Sequence, residues 1–126
     1  MPAKIMVVDD SFMVRQQVRS ALSRAGFEIM EAQDGEEALE KLAGSPCLDL
    51  IMLDVNMPAM NGIELLRRLR GDGRSARIPV IMLTTEGHPQ LMQEAKRLGA
   101  KGWIIKPFKP ELLVAAVTKL ARPLAV

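Results

Sequence analysis

At 126 residues the chain has room for one domain, since domains run to roughly 100–200 residues. Hydrophobic residues at 48% and charged residues at 25% sit near the globular average and exclude an intrinsically disordered chain. A net charge of only +2, with Phe12, Phe27, Trp103 and Phe108 as the sole aromatics, argues against a nucleic-acid binder, which needs a basic excess and stacking surfaces.

Cys47 is the only cysteine, so neither an intramolecular disulfide nor a multi-cysteine zinc site can form, and a small buried or half-buried residue is expected there. The apolar run at 5–8 is shorter than the roughly 7–15 residues of a signal-peptide core. Nothing approaches the ~20 apolar residues that span a bilayer, so a cytoplasmic protein without a membrane partner is expected.

In chain order, short apolar runs at 4–9, 27–31, 48–54, 80–84 and 103–106 alternate with amphipathic segments. The runs are nearly continuous in Val, Ile, Leu and Met, as strands buried on both faces are. The first helix is predicted over about 11–25, with Val14, Val18, Ala21, Leu22 and Ala25 on one stripe, Arg15, Arg19 and Arg24 off it, and Gly26 as its stop. A second opens at Asp34 as N-cap, has Glu37 in the capping-box position, and turns Ala38, Leu39 and Leu42 inward before ending near Gly44. The third, about 62–70, buries Ile63, Leu66 and Leu69 and leaves Glu64 and Arg68 as a surface pair. The fourth has Pro89 in its first turn and Gly99 just past its end, with His88 before it on the surface. The fifth begins at Pro110 and runs to about Arg122, before Pro123; its buried stripe is Leu112, Leu113, Ala116, Val117 and Leu120, which turns Val114 and Ala115 outward beside Lys119. Five strands alternating with five helices predict an α/β domain with a parallel sheet and helices on both faces, occupying residues 1–126 as one unit with no output domain.

The apolar runs end in Asp9-Asp10, Asp54, Thr84 and Lys106. A parallel sheet brings the C-terminal ends of its strands to one edge, where ligands bind. A lone Asp after a strand is ordinarily a turn former or helix cap. Here several strand ends supply complementary chemistry, which points to a shared site. Three carboxylates in one shallow pocket repel one another and call for a cation, and oxygen-only ligands suit Mg²⁺ with a phosphate partner. Asp54 is then the candidate nucleophile that forms an acyl phosphate. Lys106 would neutralise charge on the transferring group, and Thr84 would donate to a phosphoryl oxygen. The methionines, including Met52, Met57, Met60 and Met82, fill core and loops.

The motifs Val7-Val8-Asp9-Asp10-Ser11, Leu53-Asp54-Val55-Asn56-Met57-Pro58 with Met60-Asn61-Gly62, Leu83-Thr84-Thr85 and Lys106-Pro107-Phe108 together resemble response-regulator receiver domains of the CheY-like type, along the whole chain. The resemblance implies a doubly wound five-stranded parallel sheet in the order 2-1-3-4-5, flavodoxin/CheY-like. It implies Asp54 as phosphoacceptor, and Mg²⁺ held by Asp10, Asp54 and the backbone carbonyl of Asn56, with Asp9 acting through water. It also implies Thr84 as switch hydroxyl, Lys106 as phosphoryl-binding lysine, a cis Lys106–Pro107 bond, and Asn56 and Glu86 as the pair that tunes loss of the phosphoryl group. Trp103 stands where the family has Tyr or Phe at the moving ring; indole is larger, needs a partner for its N–H, and neighbours the β-branched Thr85.

The same resemblance implies a sensor histidine kinase as phosphodonor and a target protein whose binding depends on phosphorylation, in chemotaxis or motility, for example a flagellar motor component. The face made by Lys96, Arg97, Lys101, Val114, Ala115 and Lys119 is expected to dock that target, in a monomer or weak dimer. A phosphorelay intermediate or a stand-alone regulator of another pathway stays open. A Mg²⁺ phosphatase of the haloacid-dehalogenase type would place an Asp-x-Asp motif where this chain has Asp9-Asp10-Ser11, and a flavodoxin-like cofactor binder would place a Ser/Thr/Gly-rich loop there.

Overall fold

In a computed structural model, residues 3–44 and 47–121 are described. Chain order alternates β1 (Lys4–Val8), α1 (Phe12–Arg24), β2 (Glu28–Ala32), α2 (Gly35–Gly44), β3 (Leu50–Leu53), α3 (Gly62–Gly71), β4 (Val80–Thr84), α4 (Pro89–Arg97), β5 (Gly102–Ile105) and α5 (Pro110–Leu120). All strand pairs are parallel, in the order β2-β1-β3-β4-β5. The expected fold class and strand order are therefore those observed.

Strand periodicity decides which helices cover which face, because successive side chains point to opposite sides. Met6, Val8, Ile51, Leu53, Val80 and Met82 form one core with residues of α2, α3 and α4. Ile5, Val7, Leu50, Met52, Ile81 and Leu83 form the other with residues of α1 and α5. Full burial of each such side chain is worth about 1.5–3 kcal/mol, so the two cores supply the main stabilisation. No helix of the described residues is long and apolar enough to cross a membrane.

Register places the strand ends together. Val8 pairs with Leu53, so Asp9 and Asp54 leave the sheet side by side, and the Asp54 N–H donates to the Val8 carbonyl at 3.0 Å. Thr84 pairs with Ile105, and the N–H of the following Lys106 donates to the Thr84 carbonyl at 2.9 Å.

Several helix ends follow their sequence signals. Ser11 Oγ accepts from the Val14 N–H at 3.2 Å, and Asn61 Oδ1 accepts from the Glu64 N–H at 2.9 Å. Asp34 Oδ1 accepts from the Glu37 N–H at 2.8 Å, while the Glu37 carboxylate reaches back to the Gln33 N–H. Gly99, just past α4, has φ +86°, a conformation that glycine adopts without strain. His88 is exposed and caps α4 through Nδ1, which accepts from the Gln90 N–H.

Other expectations are corrected. Asp9, Asp54 and Lys106 lie just past their strands, and β2 and β5 are each displaced by one residue from the apolar runs. In α5 the inward residues are Leu113 and Val117, followed by Ala121, whereas Leu112 is 62% exposed and Leu120 is also exposed. Val114 is half-buried against the core of α1 and α5. A helix carrying apolar residues nearly all round admits more than one rotation, and packing against the sheet selects the one centred on Leu113 and Val117. Cys47 is exposed rather than buried, because β3 begins only at Leu50. The expected end of α5 at Arg122, before Pro123, lies outside the described residues.

Candidate functional site

The C-terminal edge of the sheet gathers Asp9, Asp10 and Asp54, whose nearest carboxylate oxygens all lie within 4.8 Å of one another. Asp9 and Asp54 are buried and Asp10 is exposed, so the cluster opens to solvent on one side. Lys106 reaches into it from the β5 end: Nζ donates to Asp9 Oδ2 at 2.8 Å and lies 3.4 Å from Asp54 Oδ2. The other oxygens are held by the backbone. The Ser11 N–H donates to Asp9 Oδ1 at 2.9 Å, and the Asn56 N–H donates to Asp54 Oδ1 at 3.2 Å.

These surroundings shift the ionisation of Asp9 and of Lys106. Burial pushes the Asp9 carboxyl above its ordinary value and the Asp54 charge adds to this, outweighing the Lys106 and Ser11 bonds that pull it down. Burial would lower Lys106, but its bond to Asp9 and the charges of Asp9 and Asp54 raise it above the usual ammonium range. The ammonium is therefore charged at neutral pH and faces the carboxylates. Clustered oxygen donors with one open side fit a hard divalent cation of the Mg²⁺ type, which keeps water ligands and accepts phosphate oxygens.

Thr84 is fully buried, and its hydroxyl accepts from the Glu86 N–H at 3.2 Å. The Trp103 indole N–H donates to the Glu86 carbonyl at 2.8 Å, which meets the partner requirement that indole brings. Thr84, the Glu86 backbone and Trp103 thus form one hydrogen-bonded chain. Thr85 is exposed. The Lys106–Pro107 bond is cis.

The candidate docking residues sit on α4 (Lys96 and Arg97), immediately before β5 (Lys101) and on α5 (Val114, Ala115 and Lys119). Lys96, Arg97, Lys101, Ala115 and Lys119 are exposed, whereas Val114 is turned partly into the core. A cleft of about 280 Å³ opens between Met92 and Lys96 of α4 and Lys101 and Trp103.

Sequence reasoning missed the part that two residues play at the site. A Cβ on Gly62 would lie 2.1 Å from the Asp54 carbonyl oxygen, so only glycine lets α3 start against the end of β3. Arg15, expected off the buried stripe of α1, donates to the Asp9 carbonyl at 2.6 Å and to Glu31 Oε1 at 2.9 Å. Glycine after the Asn61 cap, and basic residues in α1 facing an acid in β2, were the available hints.

Comparison with known proteins gives the same picture. The family model of the response regulator receiver domain matches residues 5–118. The chain is 42% identical over 111 residues to chemotaxis protein CheY1 of Helicobacter pylori, covering 87% of this chain and 90% of that one. It is 37% identical to a CheY homolog of Campylobacter jejuni, covering 87% and 85%. Among solved structures it is similar to chemotaxis protein CheY4 of Vibrio cholerae, with a TM-score of 0.89 and 42% identity over 95% of this chain and 99% of that one. With a matching fold, matching motifs and this coverage, the chain belongs to the response regulator receiver domain family.

Proposed function

We propose that the chain is a phosphorylation-driven switch of a two-component system that works in chemotaxis or motility, with Asp54 as its phosphoacceptor. Receiver domains are signalling switches rather than metabolic enzymes. The observation that carries the site assignment is the meeting of Asp9, Asp10 and Asp54 with the Lys106 ammonium on one open edge. The chemotaxis assignment is supported by the names of the Helicobacter, Campylobacter and Vibrio relatives.

In the proposed reaction an Asp54 carboxylate oxygen attacks the phosphorus of a phosphohistidine on a sensor histidine kinase. The P–O bond forms, the P–N bond breaks, and the imidazole leaves with the electron pair and takes up a proton. Lys106 meets negative charge on the phosphoryl oxygens, and Thr84, whose oxygen accepts from the Glu86 N–H, moves to donate its O–H to a phosphoryl oxygen. Asp10, Asp54 and the Asn56 carbonyl, with Asp9 acting through water, would hold Mg²⁺, which would supply charge neutralisation on the phosphoryl group. Asn56 and Glu86 flank the site and are assigned to tuning self-catalysed loss of the phosphoryl group. Movement of Thr84 changes the partner of the Glu86 N–H, and through the Glu86 carbonyl it reaches Trp103 and the face bearing Lys96, Arg97, Lys101, Ala115 and Lys119. That face docks the target.

Incubation with Mg²⁺ and acetyl phosphate tests the assignment. A switch releases acetate in a burst stoichiometric with protein, followed by slow turnover. Rapid multiple turnover of acetyl phosphate and other small phosphate esters would instead identify a phosphatase.

A further inference from the structure

The peptide that joins Asp9 to Asp10 has one member of the acidic cluster on each side, so its orientation sets how the two carboxylates face a common cation. Its carbonyl oxygen accepts from Arg15 Nη1 at 2.6 Å. The same guanidinium donates through Nε to Glu31 Oε1 at 2.9 Å, and the Arg15 side chain is only 13% exposed. Glu31 is itself fixed: Arg19 Nε donates to its other carboxylate oxygen at 2.7 Å, and Lys41 Nζ donates to its backbone carbonyl. The Asp9 N–H is tied down as well, donating to the Ala32 carbonyl at 3.1 Å. The planar fork of arginine can hold a carboxylate and a carbonyl at once, which a lysine point charge does less well.

We propose that Arg15 is a positioning residue for the cation site, clamping the Asp9 carbonyl against Glu31 and so fixing the peptide from which the Asp9 and Asp10 carboxylates project. The inference rests on the Mg²⁺ assignment made above. Arg15 acts through the backbone and touches neither the cation nor the phosphoryl group. Its charge works in the opposite direction to its geometry. A guanidinium near a divalent cation repels it, a repulsion that Glu31 offsets. Removing Arg15 therefore separates the two effects by sign: lost repulsion tightens cation binding, whereas a lost clamp weakens it. Hydrogen bonds that orient metal ligands are generally worth about 10–100-fold in affinity.

The test is calorimetric titration with MgCl₂ of the wild type, Arg15→Met, Arg15→Lys and Arg19→Met, each with a thermal unfolding curve. Arg19 shares the Glu31 carboxylate and donates to the Ile29 carbonyl rather than to Asp9, so its loss reports the ion pair without the clamp. Arg15→Met is expected to bind Mg²⁺ about tenfold more weakly and Arg15→Lys to lose part of that, while Arg19→Met stays within about twofold of wild type. Mg²⁺ binding by both Arg15 variants as tight as wild type or tighter would overturn the proposal. So would an equal loss in Arg19→Met, which would reduce Arg15 to a structural partner of Glu31. If Arg15→Met does not fold, Arg15→Lys decides by the same criterion. A wild type that binds no Mg²⁺ would overturn the cation assignment itself, and this inference with it.

Discussion

Asp54 is constrained at two places by different physics. Its carboxylate is held by the Asn56 N–H and faces the Lys106 ammonium, while its carbonyl packs so closely on α3 that no side chain fits at Gly62. Gly62→Ala must push backbone against backbone, and the expected cost is about 3 kcal/mol in urea unfolding, the upper range for overpacking a tight site. A variant as stable as wild type would contradict the close approach. At this scale the sequence was readable where chemistry follows an apolar run directly, as at Asp54, Thr84 and Lys106. It was not readable where a requirement comes from a distant chain segment. The need for glycine at position 62 is set by the Asp54 carbonyl, and Arg15 finds Glu31 across 16 residues of sequence.

Among the elements, α1 and β2 are joined by the carboxylate of Glu31. Burial would raise its pKa, but Arg19 and Arg15 outweigh burial and hold the carboxyl below its ordinary 4.5. Because the folded state lowers this pKa, the ion pairs add stability above about pH 4.5, and that stability is lost as the pH falls through the folded value. Unfolding curves of wild type and Glu31→Gln should therefore differ by a constant amount near neutrality and converge in acid. A gap that does not change with pH would contradict the assignment. For α5, periodicity gave the helix but not its rotation, since apolar residues occupy several faces and only the packing of Leu113 and Val117 on the sheet distinguishes them. The outcome separates two substitutions that sequence alone treats alike. Lys119→Glu should weaken target binding with the melting temperature unchanged, whereas Val114→Asp should lower the melting temperature, because Val114 packs on the core. Equal effects of both substitutions on stability would contradict this rotation.

For the whole molecule, the small net charge conceals a division along the sheet. Residues 28–64 carry nine acids and one base, net −8, and residues 67–122 carry twelve bases and four acids, net +8. Strand order puts β2 at one edge of the sheet and β5 at the other, so the acidic and basic segments lie toward opposite ends. The basic end includes Lys96, Arg97, Lys101 and Lys119, and its field favours an acidic target over short distances at physiological salt. Overall architecture was the most legible level, because strand and helix periods, caps and turn glycines all agree on one α/β winding. In the proposed switch this architecture presents one carboxylate, Asp54, for phosphorylation. Intact-protein mass spectrometry after incubation with acetyl phosphate and Mg²⁺ reads that out. A single phosphoryl group on the wild type and none on Asp54→Asn is the predicted result; labelling of Asp54→Asn to the same extent would contradict it.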